Sequence, residues 1–158
     1  MAIFFNTRGE QHRDFRNTSE HSFTLDGELW QSAEHYVQAQ RFSCDKAKAE
    51  VRDSAYAFSA KTLARERPDS LREDWHTVRD EVMEKAVRTK FASHPSLSDK
   101  LCATGDAEII EASPMSHHWG AGADGTGKNM LGRILMKIRE DLRDSLQSAS
   151  GQQENRIG

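Results

Sequence analysis

A run of glycines feeding straight into a long amphipathic helix limits this chain more than any other feature. From Ser113 to Arg139 it reads SPMSHHWGAGADGTGKNMLGRILMKIR and holds Gly120, Gly122, Gly125, Gly127 and Gly132, five of the chain's ten glycines. Two phosphate-binding patterns can be laid over it. Gly120 to Gly125 satisfies GxGxxG, and Gly122 to Lys128 satisfies GxxxxGK with Asn129 where a P-loop carries Ser or Thr. Both need an apolar strand immediately before the loop, and Ser113-Pro-Met-Ser-His-His118 is not one. A dinucleotide fold also needs further βαβ units, whereas only 26 residues follow Gly132, and they read as helix and tail. What is left is a loop whose backbone amides another molecule can approach, an anion cradle at a helix start. The alternative from the residues is a glycine-rich turn and helix start with no ligand.

Composition confines the rest. The 158 residues are 36% hydrophobic and 30% charged with a formal charge of -3, as expected of one globular domain with chain enough to bury a core. That balance lacks the overall basic character of a nucleic-acid binder and leans toward a small-molecule ligand, although Arg8, His12, Arg13 and Arg16 form a local basic stretch. No apolar run reaches membrane-spanning length, so no membrane association is expected. Cys44 and Cys102 lack CxxC spacing and read as reduced thiols of a cytoplasmic protein. His21, His35, His117 and His118 do not have metal-ligand spacing, and no metal site is expected.

In chain order, Ile3-Phe-Phe5 reads as a brief strand, and the segments around Asp26-Gly27 as a β-hairpin. Ser32 caps a helix from Ala33 toward Phe42, on which Glu34, Gln38 and Arg41 fall in one row. By composition alone such a row is a solvated face. One or two helices occupy residues 45–67, stopped by Pro68, with Ser70 to Glu73 as a capping box and Asp74 as a second cap. A core helix then carries Trp75, Val78, Val82, Met83, Ala86, Val87 and Phe91 on one side. A short helix stops at Gly105, Ala107 to Glu111 is strand-like, and the final helix has Leu131, Ile134, Leu135, Ile138, Leu142 and Leu146 in a stripe. The predicted architecture is α+β and predominantly helical, a single compact domain over 1–147 with a small antiparallel sheet near the N-terminus. Residues 148–158 have little to bury and read as a frayed tail.

These residues, in order, carry a family pattern. Asp26-Gly27 with Trp30, Ser32-Ala-Glu34-His35-Tyr36, Gln38 to Phe42, Asp74-Trp75, Lys90-Phe91, Thr104-Gly105-Asp106 with Glu111, Trp119-Gly120-x-Gly122 and Gly127-Lys128-Asn129 with Leu131-Gly132 together resemble the NADAR (YbiA-like) domain family. The resemblance runs from about Ile3 to Leu142 and implies an N-glycosidase. The implied substrate is a phosphorylated ribosylaminopyrimidine intermediate of riboflavin synthesis or ADP-ribosylated guanine in nucleic acid, cleaved without metal or organic cofactor. Breaking a ribose C–N bond builds positive charge at the anomeric carbon, which a carboxylate stabilises directly or by deprotonating the attacking water. Glu34, in the Ser-Ala-Glu-His-Tyr motif, is the expected catalytic residue. Gln38 and Arg41 accompany it, Arg41 standing where the family more often has Lys. Trp75 and Trp119 are expected to stack a base. Gly120, Gly122, Gly127, Lys128 and Asn129 are expected to hold phosphate and ribose oxygens, all meeting Glu34 at one cleft. Two positions depart from the family: Ser116 replaces an Asp three residues before Trp119, and Arg16-Asn17-Thr18 replaces Ser-Asn-Phe. They keep open a second reading, a module that binds ADP-ribose or NAD without cleaving it.

Overall fold

A computed structural model describes the chain apart from Thr7, residues 68–70 and residues 155–158, with Glu154 described by its backbone alone. The predicted stop at Pro68 and the Ser70 end of the capping box therefore lie outside the described residues. The chain divides into two compact units, one of residues 6–94 and the other of 1–5 with 95–158.

The contiguous unit is built around a single short helix. Strands β2 (Phe23–Leu25) and β3 (Glu28–Trp30) pair antiparallel, and Asp26 and Gly27 turn the corner with φ of 53° and 78°. Two consecutive positive φ values are what a tight hairpin turn demands, and Asp-Gly supplies them. Helix α1 (Ala33–Gln40) follows, capped by the Ser32 hydroxyl, which accepts the His35 amide at 3.2 Å. It packs against α2 (Asp45–Arg52), α3 (Ala57–Arg65) and α4 (Trp75–Ser93), so every residue from Ala33 to Ala39 is buried. A helix enclosed on all sides need not be amphipathic. Trp30 meets Tyr36 edge-on at 5.1 Å, and Phe15 packs against Phe91 at 6.2 Å.

Asp74 precedes α4 as expected, but its side chain makes no cap hydrogen bond. Instead both of its oxygens are taken by Arg72, from Nε at 2.6 Å and NH2 at 2.9 Å. A forked guanidinium two residues away outcompetes the helix amides for the carboxylate.

The second unit begins with β1 (Ala2–Phe5), which pairs in parallel with β4 (Glu108–Glu111). Helix α5 (Pro95–Ala103) leads to Gly105, whose φ of 64° ends the helical run in the left-handed region. The last helix, α6 (Met130–Glu154), packs on β4 and α5 with Leu131, Ile134, Leu135 and Ile138 buried. Helical backbone continues past Ser148 to Glu154 although residues 144–153 are exposed. In this exposed stretch Ser148 Oγ donates to Asp144 O and Ser150 Oγ to Leu146 O, both at 3.0 Å. No described helix is long and apolar enough to cross a membrane.

Candidate active site

In the 6–94 unit, Glu34, Gln38, Arg41 and Trp75 come together. The row on α1 is not a solvated face: Glu34 is only 5% exposed and Gln38 only 8%. Its polar groups satisfy one another. Arg41 NH1 donates to Gln38 Oε1 at 3.1 Å, which fixes the Gln38 amide so that Nε2 donates to Glu34 Oε1 at 2.6 Å. The other carboxylate oxygen, Oε2, accepts from Asn17 Nδ2, while the Asn17 carbonyl accepts the Glu34 backbone N–H at 2.8 Å. Glu34 is thus gripped at its amide and at both oxygens.

Two opposing forces set its charge. Burial raises the Glu34 pKa above the usual glutamate range, opposed by the Gln38 hydrogen bond and by the positive charges of Lys61 and Arg41. The Asn17 donation also favours the ionised form. Trp75 reaches the row through the chain that follows α3. Arg72 N–H donates to Arg41 O at 2.8 Å and Leu71 bridges Phe42, which brings the Trp75 ring under the Arg41 guanidinium at 5.8 Å. Among the described residues, the buried Nε atoms of Arg16 and Arg41 have no hydrogen-bond partner.

His35, next to Glu34, has a different task. Its Nε2 lies 3.0 Å from Ser54 O, which can only accept, so Nε2 carries the proton. Nδ1 is then the acceptor for the Ser32 hydroxyl at 2.7 Å. Burial lowers the His35 pKa, in keeping with a neutral ring that ties α1 to the end of α2.

In the other unit lie Trp119, Gly120, Gly122, Gly127, Lys128 and Asn129. Many of this loop's amides are already used. Ala121 N–H donates to Glu111 O, Gly127 N–H to Ala121 O, Lys128 N–H to His117 O, Asn129 N–H to Gly120 O, Met130 N–H to His118 O and Leu131 N–H to Trp119 O, all between 2.7 and 3.0 Å. The glycines serve this folding: a Cβ on Gly120 would run into Glu111, on Gly127 into the Gly120 carbonyl, and on Gly132 into the Ile109 carbonyl. Only at Gly122 and Gly125, with φ of 71° and 77°, is backbone freedom the requirement. Among described residues, the Gly120, Gly122 and Ala123 amides have no acceptor, while the Asp124 amide is bonded to its own carboxylate, so any amide cradle lies between Gly120 and Ala123, with Lys128 exposed.

Asn129 takes a structural part. Its Oδ1 accepts Glu111 N–H at 2.9 Å and its Nδ2 donates to Ile109 O at 2.9 Å, stitching the loop to β4 from a backbone at φ 51°. Asn129→Gly should lower stability by about 2 kcal/mol through two buried backbone groups left without partners. Asn129→Ala should cost about 1 kcal/mol more, because a Cβ is strained at positive φ. Denaturant midpoints in the order wild type, Gly, Ala would bear this out. Trp119 is half-buried with His118 edge-on to its ring at 4.6 Å, and its amide donates to Ser116 Oγ at 3.1 Å.

Motif reasoning assigned no part to two residues that matter here. Asn17 lies in the Arg16-Asn17-Thr18 segment, noted for its departures rather than for the asparagine that orients Glu34. Glu111, 5% exposed, organises the loop: it uses its N–H and C=O as above and accepts Ser113 N–H on Oε1 at 3.1 Å. Burial raises its pKa, with the Ser113 amide opposing.

Known proteins bear on this geometry. The NADAR domain signature matches residues 3–143. An N-glycosidase YbiA from Escherichia coli is 38% identical over 89% of this chain and 88% of its own length. An N-glycosidase from Nostoc punctiforme is 36% identical over 92% of this chain and 96% of its own. A riboflavin biosynthesis protein from Vibrio vulnificus is 42% identical over 91% of this chain, which spans 39% of that longer protein. The solution structure of E. coli YbiA matches with a TM-score of 0.83 at 35% identity, over 93% of this chain and 89% of that one. The chain belongs to the NADAR domain family.

Proposed function

We propose that this protein hydrolyses an N-glycosidic bond between ribose and a base or aminopyrimidine, with Glu34 as the reacting carboxylate. The class of enzyme, an N-glycosidase, is that of its relatives. The observation that supports the residue is the burial of Glu34 with a donor on each oxygen, from Asn17 and Gln38. In the reaction, water adds to the anomeric carbon as the C–N bond breaks. Glu34 takes the water proton, and the leaving nitrogen takes the bond's electron pair and a proton. A carboxylate whose pKa is raised by burial is a stronger base than an ordinary one, while the two amide donors favour its ionised form and aim it. The Trp75 ring offers a stacking face, and the buried Arg16 and Arg41 Nε donors suit ribose or phosphate oxygens. As a separate element of the proposal, the loop between Gly120 and Ala123 with Lys128 holds a phosphate oxygen.

The substrate is a phosphorylated ribosylaminopyrimidine, a reading supported by the riboflavin biosynthesis protein among the relatives and by the net charge of -3, which does not favour a polyanion. The deciding experiment is a turnover screen of purified protein against that class and against guanine-ADP-ribosylated DNA, reading release of the free base. Turnover of the pyrimidine alone agrees with the proposal, and turnover of the DNA alone reassigns the substrate. Calorimetric binding of ADP-ribose with no turnover of either would replace hydrolysis by the binding-module reading, which Ser116 keeps in view.

A further inference from the structure

Lys90 lies deeper than any other charged side chain described. It is 1% exposed in α4, and its Nζ donates to two backbone carbonyls, Asp14 O at 2.6 Å and Arg16 O at 2.9 Å. Burying an amine is costly, so its retention calls for a local reason. Those two carbonyls close off the segment immediately ahead of Asn17. Asn17 in turn holds Glu34 twice, through its carbonyl to the Glu34 amide at 2.8 Å and through Nδ2 to Oε2. The segment is also held by Phe15 packed on Phe91, by His12 stacked on Phe15 at 5.4 Å, and by longer hydrogen bonds from Ser19 to the same two carbonyls, at 3.4 and 3.3 Å.

We propose that Lys90 is a positioning residue for Glu34, acting through Asn17: the amine fixes the backbone on which Asn17 is carried, and Asn17 fixes the carboxylate. Without the amine, the Asp14 and Arg16 carbonyls keep only their longer bonds from Ser19, at 3.4 and 3.3 Å, the segment relaxes, and Asn17 Nδ2 leaves Oε2. This rests on Glu34 being the reacting carboxylate, and the roles can be separated. The charged groups that act on Glu34 are Lys61 and Arg41, while Asp14 faces Lys90. A purely electrostatic effect of Lys90 on Glu34 would therefore not depend on Asn17.

The test is a double-mutant cycle on full-length protein with Lys90→Met and Asn17→Ala, read by carbon-13 NMR titration of the Glu34 carboxyl and by kcat and KM on a phosphorylated ribosylaminopyrimidine. Each single variant should move the Glu34 midpoint upward, since a donor to the ionised form is lost. Each should lower kcat by about 10- to 100-fold, with KM little changed. The double variant should be no worse than the more affected single one, because both act on the same hydrogen bond. Lys90→Gln, which keeps a donor for one carbonyl, should recover part of kcat and covers the case in which Lys90→Met does not fold. Effects that multiply in the double variant, or a Glu34 midpoint unmoved by Lys90→Gln and Lys90→Met, would overturn the proposal. Glu34→Gln in the same assay distinguishes the layers. If it retains wild-type turnover, the role of Glu34 itself fails. If it is inactive while the Lys90 variants behave independently of Asn17, only the positioning role fails.

Discussion

Glu34→Gln should reduce kcat for base release by about 10²- to 10⁴-fold, the range that a positioned acid or base contributes. The substitution nearly preserves shape, so binding should survive and KM should change little. Folding should survive too. Ionised Glu34 is held against its desolvation, which raises its pKa above the ordinary 4.5, and a neutral amide removes that burden. Against this gain, the new amide nitrogen faces one of two donors, Asn17 Nδ2 or Gln38 Nε2, and loses that hydrogen bond. The two effects oppose, so a melting temperature within a few degrees of wild type is expected. The pH profile supplies an independent check. If Glu34 must be ionised to act, the acidic limb of kcat/KM falls above 4.5, on the side to which burial moves the group. A limb at or below 4.5, or turnover unaffected by the substitution, would remove Glu34 from the chemistry.

The second large effect is on stability, at Gly132. This residue stands in the first turn of α6, where an added Cβ would meet the Ile109 carbonyl of β4 and the Asn129 side chain at 2.5 Å. Neither neighbour can yield freely. Ile109 is fully buried in a paired strand, and Asn129 is bonded to Ile109 and Glu111 together. Gly132→Ala should therefore push α6 off β4 at a cost of about 3 kcal/mol or more, despite the better helix propensity of alanine. For a chain of this length that is a fall of roughly 10 °C in melting temperature. Gly151→Ala is the matched control. It lies in the same helix with nothing within 4 Å of an added Cβ, and should gain a few tenths of a kcal/mol. Equal melting temperatures for the two variants would contradict the packing account of the glycine loop.

How far the site could be read from the residues depended on whether the governing forces were local. The Asp26-Gly27 hairpin was legible because the turn's φ values are demanded by adjacent residues. Ser32 was legible because a cap is a contact across three residues. The row on α1 was placed correctly on one face but given the wrong surroundings. Periodicity fixes which residues share a side, while burial of that side is decided by α2, α3 and α4 packing around it. The glycine loop shows a related limit. Glycine marks close approach without saying to what, and here Gly120, Gly127 and Gly132 approach their own chain. Asn17 and Lys90 fall on the family pattern, yet no local signal gives their part, which lies in backbone carbonyls 74 to 76 positions away from Lys90.

The pairing of β1 with β4 bears on the order in which the molecule forms. In the register Ala2 faces Glu108, 106 positions later, whereas every element of the 6–94 unit finds its partners inside one continuous stretch. Closing so long a loop is entropically slow compared with joining neighbouring helices. On a ribosome the β1 residues emerge well before the strand that completes them. The 6–94 unit is therefore expected to gather around α1 first, with Glu34 already held, while the Ile3-Phe4-Phe5 run waits unpaired for its partner strand.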